Sequence, residues 1–195
     1  MEVLENAAKT HSPKSGDELM DGEIVPIGPC DVTKKSDLEK IVKEIESKEE
    51  YLSLVLAAAG ISSAKGIADQ SDAKDMKAKL WEAETFEDWS TTYTTNVSAV
   101  YFSVVAFLPL LQAAPKEQSS CAIVISSMSG MMRHSQGHFS YNASKAATVH
   151  LSEMMSKEFA RTGIRVNSIA PGYFPSEMTM KESDQNNKAE MVSTP

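Results

Sequence analysis

Three short, nearly continuous apolar runs, Tyr51 to Ala59, Cys121 to Ser126 and Ile164 to Ala170, alternate with longer stretches of helical periodicity. A run of this length suits a strand covered on both faces, as in a parallel sheet, better than a strand with one wet face. Parallel neighbours need long crossovers, and the intervening helices supply them. The chain is therefore expected to be α/β, a doubly wound parallel sheet of Rossmann type. Its 195 residues suit one domain with a sizeable core. Ligands of such sheets bind outside the carboxyl ends of the strands. The turns after the strands, at Asp31, Gly60, Ser127 and Pro171-Gly172, are thus where chemistry is expected.

The remaining elements follow the same logic. Met1 to Lys9 has helical spacing through Val3, Leu4, Ala7 and Ala8. Glu23 to Ile27 reads as an edge strand, because Pro26 cannot donate to a ladder. A helix follows, with Ser36 and Glu39 as a capping box and Leu38, Ile41, Val42 and Ile45 as its apolar face. Ser62 to Glu84 is polar and reads as a surface insertion. Thr85 to Gln112 reads as one long helix, capped by Thr85 and Asp88 and bent or ended by Pro109. Its apolar row is Trp89, Tyr93, Val97, Val100, Val104, Leu108 and Leu111. Ser140 to Arg161 is another helix, with a row at Ala143, Ala147, Leu151, Met155 and Phe159 and a stop at Gly163. Lys181 to Pro195 reads as a flexible tail. The whole of 1–195 is expected to be a single domain.

Charge and composition exclude some functions. A net charge of -8 without a Lys/Arg run opposes nucleic-acid binding. No segment approaches the roughly 18 apolar residues of a membrane span, and the first ten residues do not form a signal peptide. A soluble cytoplasmic protein is the expectation. The two cysteines, Cys30 and Cys121, lie far apart without ligand-like neighbours and read as reduced thiols. A zinc site needs clustered Cys and His, so no metal is expected.

The strongest chemical signal is Tyr141-Asn-Ala-Ser-Lys145 at a helix start. Residues four apart share a helix face, so a phenol and an ammonium can approach each other. The positive charge favours the phenolate, and such a pair can trade a proton with a carbonyl or alcohol oxygen. Upstream, Ile125-Ser-Ser-Met-Ser-Gly130 runs from a strand into a serine-rich turn and places the Ser127 hydroxyl at a strand's carboxyl end. Asn96 lies inside a helix among residues that read as buried, where it requires a partner.

With these residues the sequence resembles the short-chain dehydrogenase/reductase family. Asn96, Ser127, Tyr141 and Lys145 stand in the order and spacing of its catalytic set. Asp31-Val32 resembles the pair that contacts the adenine ring. Thr-Thr-Asn96-Val97 resembles the family's helix motif, and Ile169-Ala-Pro171-Gly172 the segment that closes over the nicotinamide. Residues 171–179 resemble the branch around 3-oxoacyl-acyl-carrier-protein reductases, including rhamnolipid-type and fungal members. The resemblance implies Tyr141 as general acid/base. It implies Lys145 to lower the tyrosine's pKa and hold the nicotinamide ribose. Ser127 would bond the reacting oxygen, and Asn96 would hold a water linking Lys145 to solvent. It also implies an NAD(P) cofactor held by Asp31, Val32, Ala59, Gly60, Tyr141, Lys145, Pro171 and Gly172, and a small carbonyl or acyl substrate. Homo- or hetero-oligomers would form through helices 85–112 and 140–161.

The sequence also departs from the family. The nine glycines never come closer than six positions, so no glycine-rich phosphate turn can be drawn. Met1 aligns with the helix after the family's second strand, so the first strand, first helix and second strand are expected to be lacking. Ala57-Ala-Ala-Gly60 stands where the family has Asn-Asn-Ala-Gly. Two other readings stay open: a non-catalytic fragment docking onto a full-length relative, and a gene model beginning at an internal methionine. Met128, Met131, Met132, Met178 and Met180 either line an apolar pocket or pack ordinarily. His134 and His138 read as loop residues.

Overall fold

The three apolar runs pair side by side as a parallel sheet of order β1-β2-β3, with β1 at Leu54–Ala57, β2 at Cys121–Ile125 and β3 at Arg165–Ile169. The computed structural model describes residues 2–12, 22–67 and 71–172. Leu54 stands beside Cys121, which stands beside Arg165, and the register runs without a break from there. The α/β, Rossmann-like class expected from the sequence is the one observed.

Seven helices accompany the sheet among the described residues: α1 Glu2–His11, α2 Lys35–Glu46, α3 Ala73–Ala83, α4 Phe86–Tyr93, α5 Ala99–Ala106, α6 Leu108–Gln112 and α7 Phe139–Phe159. Val55, Ala57, Ala122, Val124 and Val166 lie on the covered face of the sheet. They pack with Val100, Val104, Leu111, Met155 and Ile164 in one apolar cluster. Val104, Leu111 and Val124 are wholly buried. Each such side chain contributes about 1.5–3 kcal/mol of transfer free energy.

The expectation of strands covered on both faces fails for β1. Leu54 and Leu56, which alternate with Val55 and Ala57, are 50% and 53% exposed. Side chains two apart share a face, and on this face Arg165 and Asn167 of β3 are exposed as well. Only the central strand β2 is largely covered on both sides. The run Tyr51–Ala59 accordingly shrinks to four ladder residues.

Glu23 to Ile27 does not form a strand. It has no ladder partner among the described residues, Pro26 withholds a donor, and Ile24 and Val25 stay about half exposed. The Ser36–Glu39 capping box is also absent. The N-cap is Lys34, without a side-chain cap bond. Asp37 instead accepts the Asp31 N–H, at 3.2 Å, and so fastens the preceding turn to the helix.

The long helix 85–112 is interrupted twice. Its Thr85/Asp88 capping box forms in both directions. Residues Thr94–Ser98 then widen into a π turn, and the helix breaks again at Phe107, where φ and ψ are -98° and 3°. Pro109 lacks the N–H that would bond back to residue 105, which explains the second break. The other long helix, α7, ends as its sequence suggests, through a short 3-10 turn at Ala160–Thr162 and a left-handed Gly163 with φ of 81°.

The buried stripe of α7 differs from the expected apolar row. Ser140, Ser144, Thr148 and Ser152 are more deeply buried than Ala143, Ala147, Leu151 or Phe159. Their small side chains let α7 approach α4 and the π turn closely, and each hydroxyl finds an acceptor. Met1 and the 181–195 tail lie outside the described residues.

Candidate active site

The carboxyl end of β2 feeds the site from two directions. Ile125 ends the strand and offers its carbonyl, and Ser126–Ser127 begin the serine-rich turn. Lys145, projecting from the second turn of α7, donates from Nζ to Ile125 O at 2.9 Å. Its side chain is only 6% exposed. Burial pushes the Lys145 ammonium below its usual pKa, because desolvation penalises the charged form. One of its three N–H groups is spent on Ile125, and the others have no acceptor among the described residues. The ammonium stands 5.8 Å from the centre of the Tyr141 ring. The one-turn spacing thus sets the ammonium over the Tyr141 ring.

Ser127 accepts the Ser129 N–H at 3.1 Å, which fixes its oxygen. Its own proton has no acceptor among the described residues. Ser126 is tied to α7 by a 3.1 Å bond from its hydroxyl to Lys145 O. Gly130 packs on the same helix so closely that a Cβ there would stand 2.6 Å from Ala146 N. Only glycine allows this turn to lie flat on the backbone carrying Lys145.

Asn96 is wholly buried inside the π turn. Its Oδ1 accepts the Ile61 N–H at 2.8 Å, while Nδ2 donates to Ile61 O and to Ser144 Oγ, both at 3.0 Å. Ser144 Oγ in turn donates to Tyr141 O at 2.7 Å. The Thr148 hydroxyl lies 3.0 Å from Asn96 O and 2.8 Å from Ser144 O. Both the carboxamide and the carbonyl of Asn96 are thus bonded to protein groups.

The expected cofactor-binding residues have these surroundings. Val32 and Ala59 line one apolar cavity of about 210 Å³, with Leu38, Ile41, Val55 and Val100. Asp31 lies outside it, at the exposed turn. There its carboxyl is held down at about 2, first by the Thr33 hydroxyl and then by Lys34. Gly60 lies beside Asn96 and Lys145. A Cβ on it would lie 3.3 Å from Asn96 Oδ1 and 3.6 Å from Lys145 Nζ. Pro171 accepts the Met128 N–H at 3.0 Å, with Gly172 against Met128 Sδ.

Sequence reasoning missed the residues that organise this site from behind: Ile61, Ser144, Thr148, Ser126 and Gly130. A signal for part of it was present, since Ser140, Ser144, Thr148 and Ser152 recur every four residues. Small polar residues in one helical row look like a solvated face until the facing helix is known.

Among the described residues, those present suit the nicotinamide end of a dinucleotide. A buried ammonium has donors to spare, the absence of a Cβ on Gly60 leaves it uncrowded, and three strand ends lie side by side. No glycine-rich phosphate cradle accompanies them among the described residues.

Comparison with known proteins agrees with this geometry. The family model described as short chain dehydrogenase matches residues 4–187. A short-chain dehydrogenase/reductase of Diaporthe leptostromiformis, PhomF', is 36% identical over 184 residues, covering 91% of this chain and 60% of its own length. The chain thus spans well under two thirds of that relative. Among solved structures, the NADPH-bound carbonyl reductase from chicken fatty liver is similar with a TM-score of 0.72 at 26% identity, over 95% of this chain and 68% of that one. The Pseudomonas aeruginosa RhlG/NADP active-site complex is similar with a TM-score of 0.66 at 29% identity, over 78% and 54%. By sequence and by fold, the chain belongs to the short-chain dehydrogenase family.

Proposed function

We propose that this chain carries the reacting half of an NADPH-dependent reductase that interconverts a carbonyl and a secondary alcohol, with 3-oxoacyl compounds as the substrate class. The observation that carries the reading is the buried Lys145 ammonium, bonded to Ile125 O and standing 5.8 Å from the Tyr141 ring centre at the carboxyl end of β2. NADPH, when bound, supplies the hydride, and the protein orients and handles protons.

Tyr141 gives its phenolic proton to the carbonyl oxygen as negative charge develops there. Lys145 stabilises the phenolate left behind, and its unused N–H groups would hold the ribose hydroxyls of the bound cofactor. Ser127, held by the Ser129 N–H, donates its free proton to the same carbonyl oxygen. Asn96 serves as a brace, tying the Gly60–Ile61 turn to the backbone of Tyr141 through Ser144. Val32 and Ala59 offer an apolar cavity for the adenine, with Asp31 outside it at the neighbouring exposed turn. Gly60, Pro171 and Gly172 complete the nicotinamide end. The NADP and NADPH complexes among the structural neighbours support the phosphorylated cofactor. Self-association through 85–112 and 140–161 belongs to the same reading, since Phe86, Trp89, Tyr101 and Met154 are exposed on them.

Calorimetric titration of the purified chain with NADPH and NADH tests the proposal, followed by NADPH oxidation with a panel of ketones and 3-oxo esters. Micromolar NADPH binding and turnover lost in Tyr141→Phe are the expected results. A folded chain that binds neither nucleotide would refute the reading.

A further inference from the structure

The segment Ser62–Glu84 is fastened to the residues just before Tyr141. The Gly66 N–H donates to Gly137 O at 2.9 Å. A Cβ on Gly137, where φ is +84°, would stand 2.7 Å from Gly66 O, so the two loops cross backbone against backbone. The His138 ring lies 3.2 Å from Ser63 O. The last of these ties enters the catalytic helix itself, where the wholly buried Ser140 donates its hydroxyl to Glu84 Oε1.

Two features give this last bond leverage. The first turn of α7 has no side-chain cap, because His138 at the N-cap position makes none. Glu84 is fixed from both sides, ending α3 in extended backbone and preceding Thr85, which locks α4 by its reciprocal capping bonds. A carboxylate near a helix N-terminus also opposes the positive end of the helix dipole. Ser140 is the immediate neighbour of Tyr141, so whatever orients one sets the backbone of the other.

On the reductase reading, we infer that Glu84 is a positioning residue for Tyr141, holding the first turn of α7 in place through the Ser140 hydroxyl. Glu84 would touch neither substrate nor cofactor. Its loss should lower the rate of proton transfer while leaving nucleotide affinity unchanged.

The test uses Glu84→Ala, Ser140→Ala and Glu84→Gln in the full 195-residue chain. The Gln variant keeps an oxygen acceptor at the same reach. The first readout is the ring signal of Tyr141 in protein labelled with 13C-tyrosine, assigned by Tyr141→Phe. The second is kcat and KM for NADPH with an aliphatic 3-oxo ester. Both Ala variants should shift or broaden the Tyr141 signal and lower kcat about tenfold at unchanged KM, the order expected for one lost charge-assisted bond. Glu84→Gln should restore most of both. An unchanged Tyr141 signal in the Ala variants overturns the inference. So does a Gln variant as impaired as the Ala variant, and so does a shifted signal with kcat intact. Should the parent chain show no turnover, the reductase reading fails, and the Tyr141 signal alone decides whether Glu84 positions it.

Discussion

Helix α7 is buried along two stripes that do different work. Leu151, Met155 and Phe159 lean on the apolar cluster over the sheet. Ser140, Ser144, Thr148 and Ser152 form the adjoining row on the same side of the helix, and the first three bond to Glu84 and to Asn96 in the π turn. The apolar stripe is held by burial, which scales with area and has no direction. The polar stripe is held by hydrogen bonds, which fix distance and angle but contribute only about 1 kcal/mol each to stability. Stability and site geometry are therefore separable, although one helix carries both. Tyr141 and Lys145 sit beside the polar stripe, where orientation counts.

Substitutions can test this separation. The largest effect should come from the apolar side. Leu111→Ala, at a wholly buried position, should cost about 3 kcal/mol by lost transfer energy and a residual cavity. Chemical denaturation reads that loss. The affinity of the still-folded fraction for NADPH should stay within twofold, and a larger change would erase the distinction between the two stripes.

Asn96→Ala attacks the polar side. It leaves the Ile61 N–H and C=O without their partners and removes the donor to Ser144. About 2–3 kcal/mol of stability should go. Unlike Leu111→Ala, it should also lower kcat at unchanged NADPH affinity. Gly130→Ala should cost about 2 kcal/mol, because its Cβ meets the Lys145–Ala146 backbone and neither partner can yield cheaply. It should also move Ser127 relative to Lys145, with kcat falling in steady-state assays.

The smallest effect should have the opposite sign. Lys145→Met fills the same space without burying a charge, and should stabilise the fold by roughly 1 kcal/mol at neutral pH while ending turnover. The sign with pH follows from linkage. Burial lowers the folded-state pKa of Lys145, so the unfolded chain binds more protons between that value and the usual lysine value of about 10.4. Wild-type stability should therefore gain on Lys145→Met as pH rises through that window, and lose what it gained as pH falls back through the folded-state pKa. Parallel melting curves across alkaline pH check it.

What could be read in advance depended on range. Thr85 and Asp88 are three residues apart and form the expected cap. Gly163 ends its helix because a left-handed residue is a local requirement. Tyr141 and Lys145 share a face because helix geometry alone puts them there. Asn96 was legible as a polar residue in need of a partner, but its partners lie 35 and 48 positions away. The Ser36–Glu39 cap failed because the helix starts two residues earlier than that cap requires, with Lys34 as its N-cap and Asp37 bonded to the Asp31 N–H.

The sequence by itself determined the parallel sheet, the order of its elements and the Tyr141–Lys145 pair, because periodicity and spacing within a helical turn carry that information. Only the tertiary structure decided which face of α7 is buried, where the helix 85–112 widens, and that Glu84 reaches Ser140. Those outcomes depend on side chains 35 to 56 residues apart meeting across packed elements, and no local pattern encodes such a meeting.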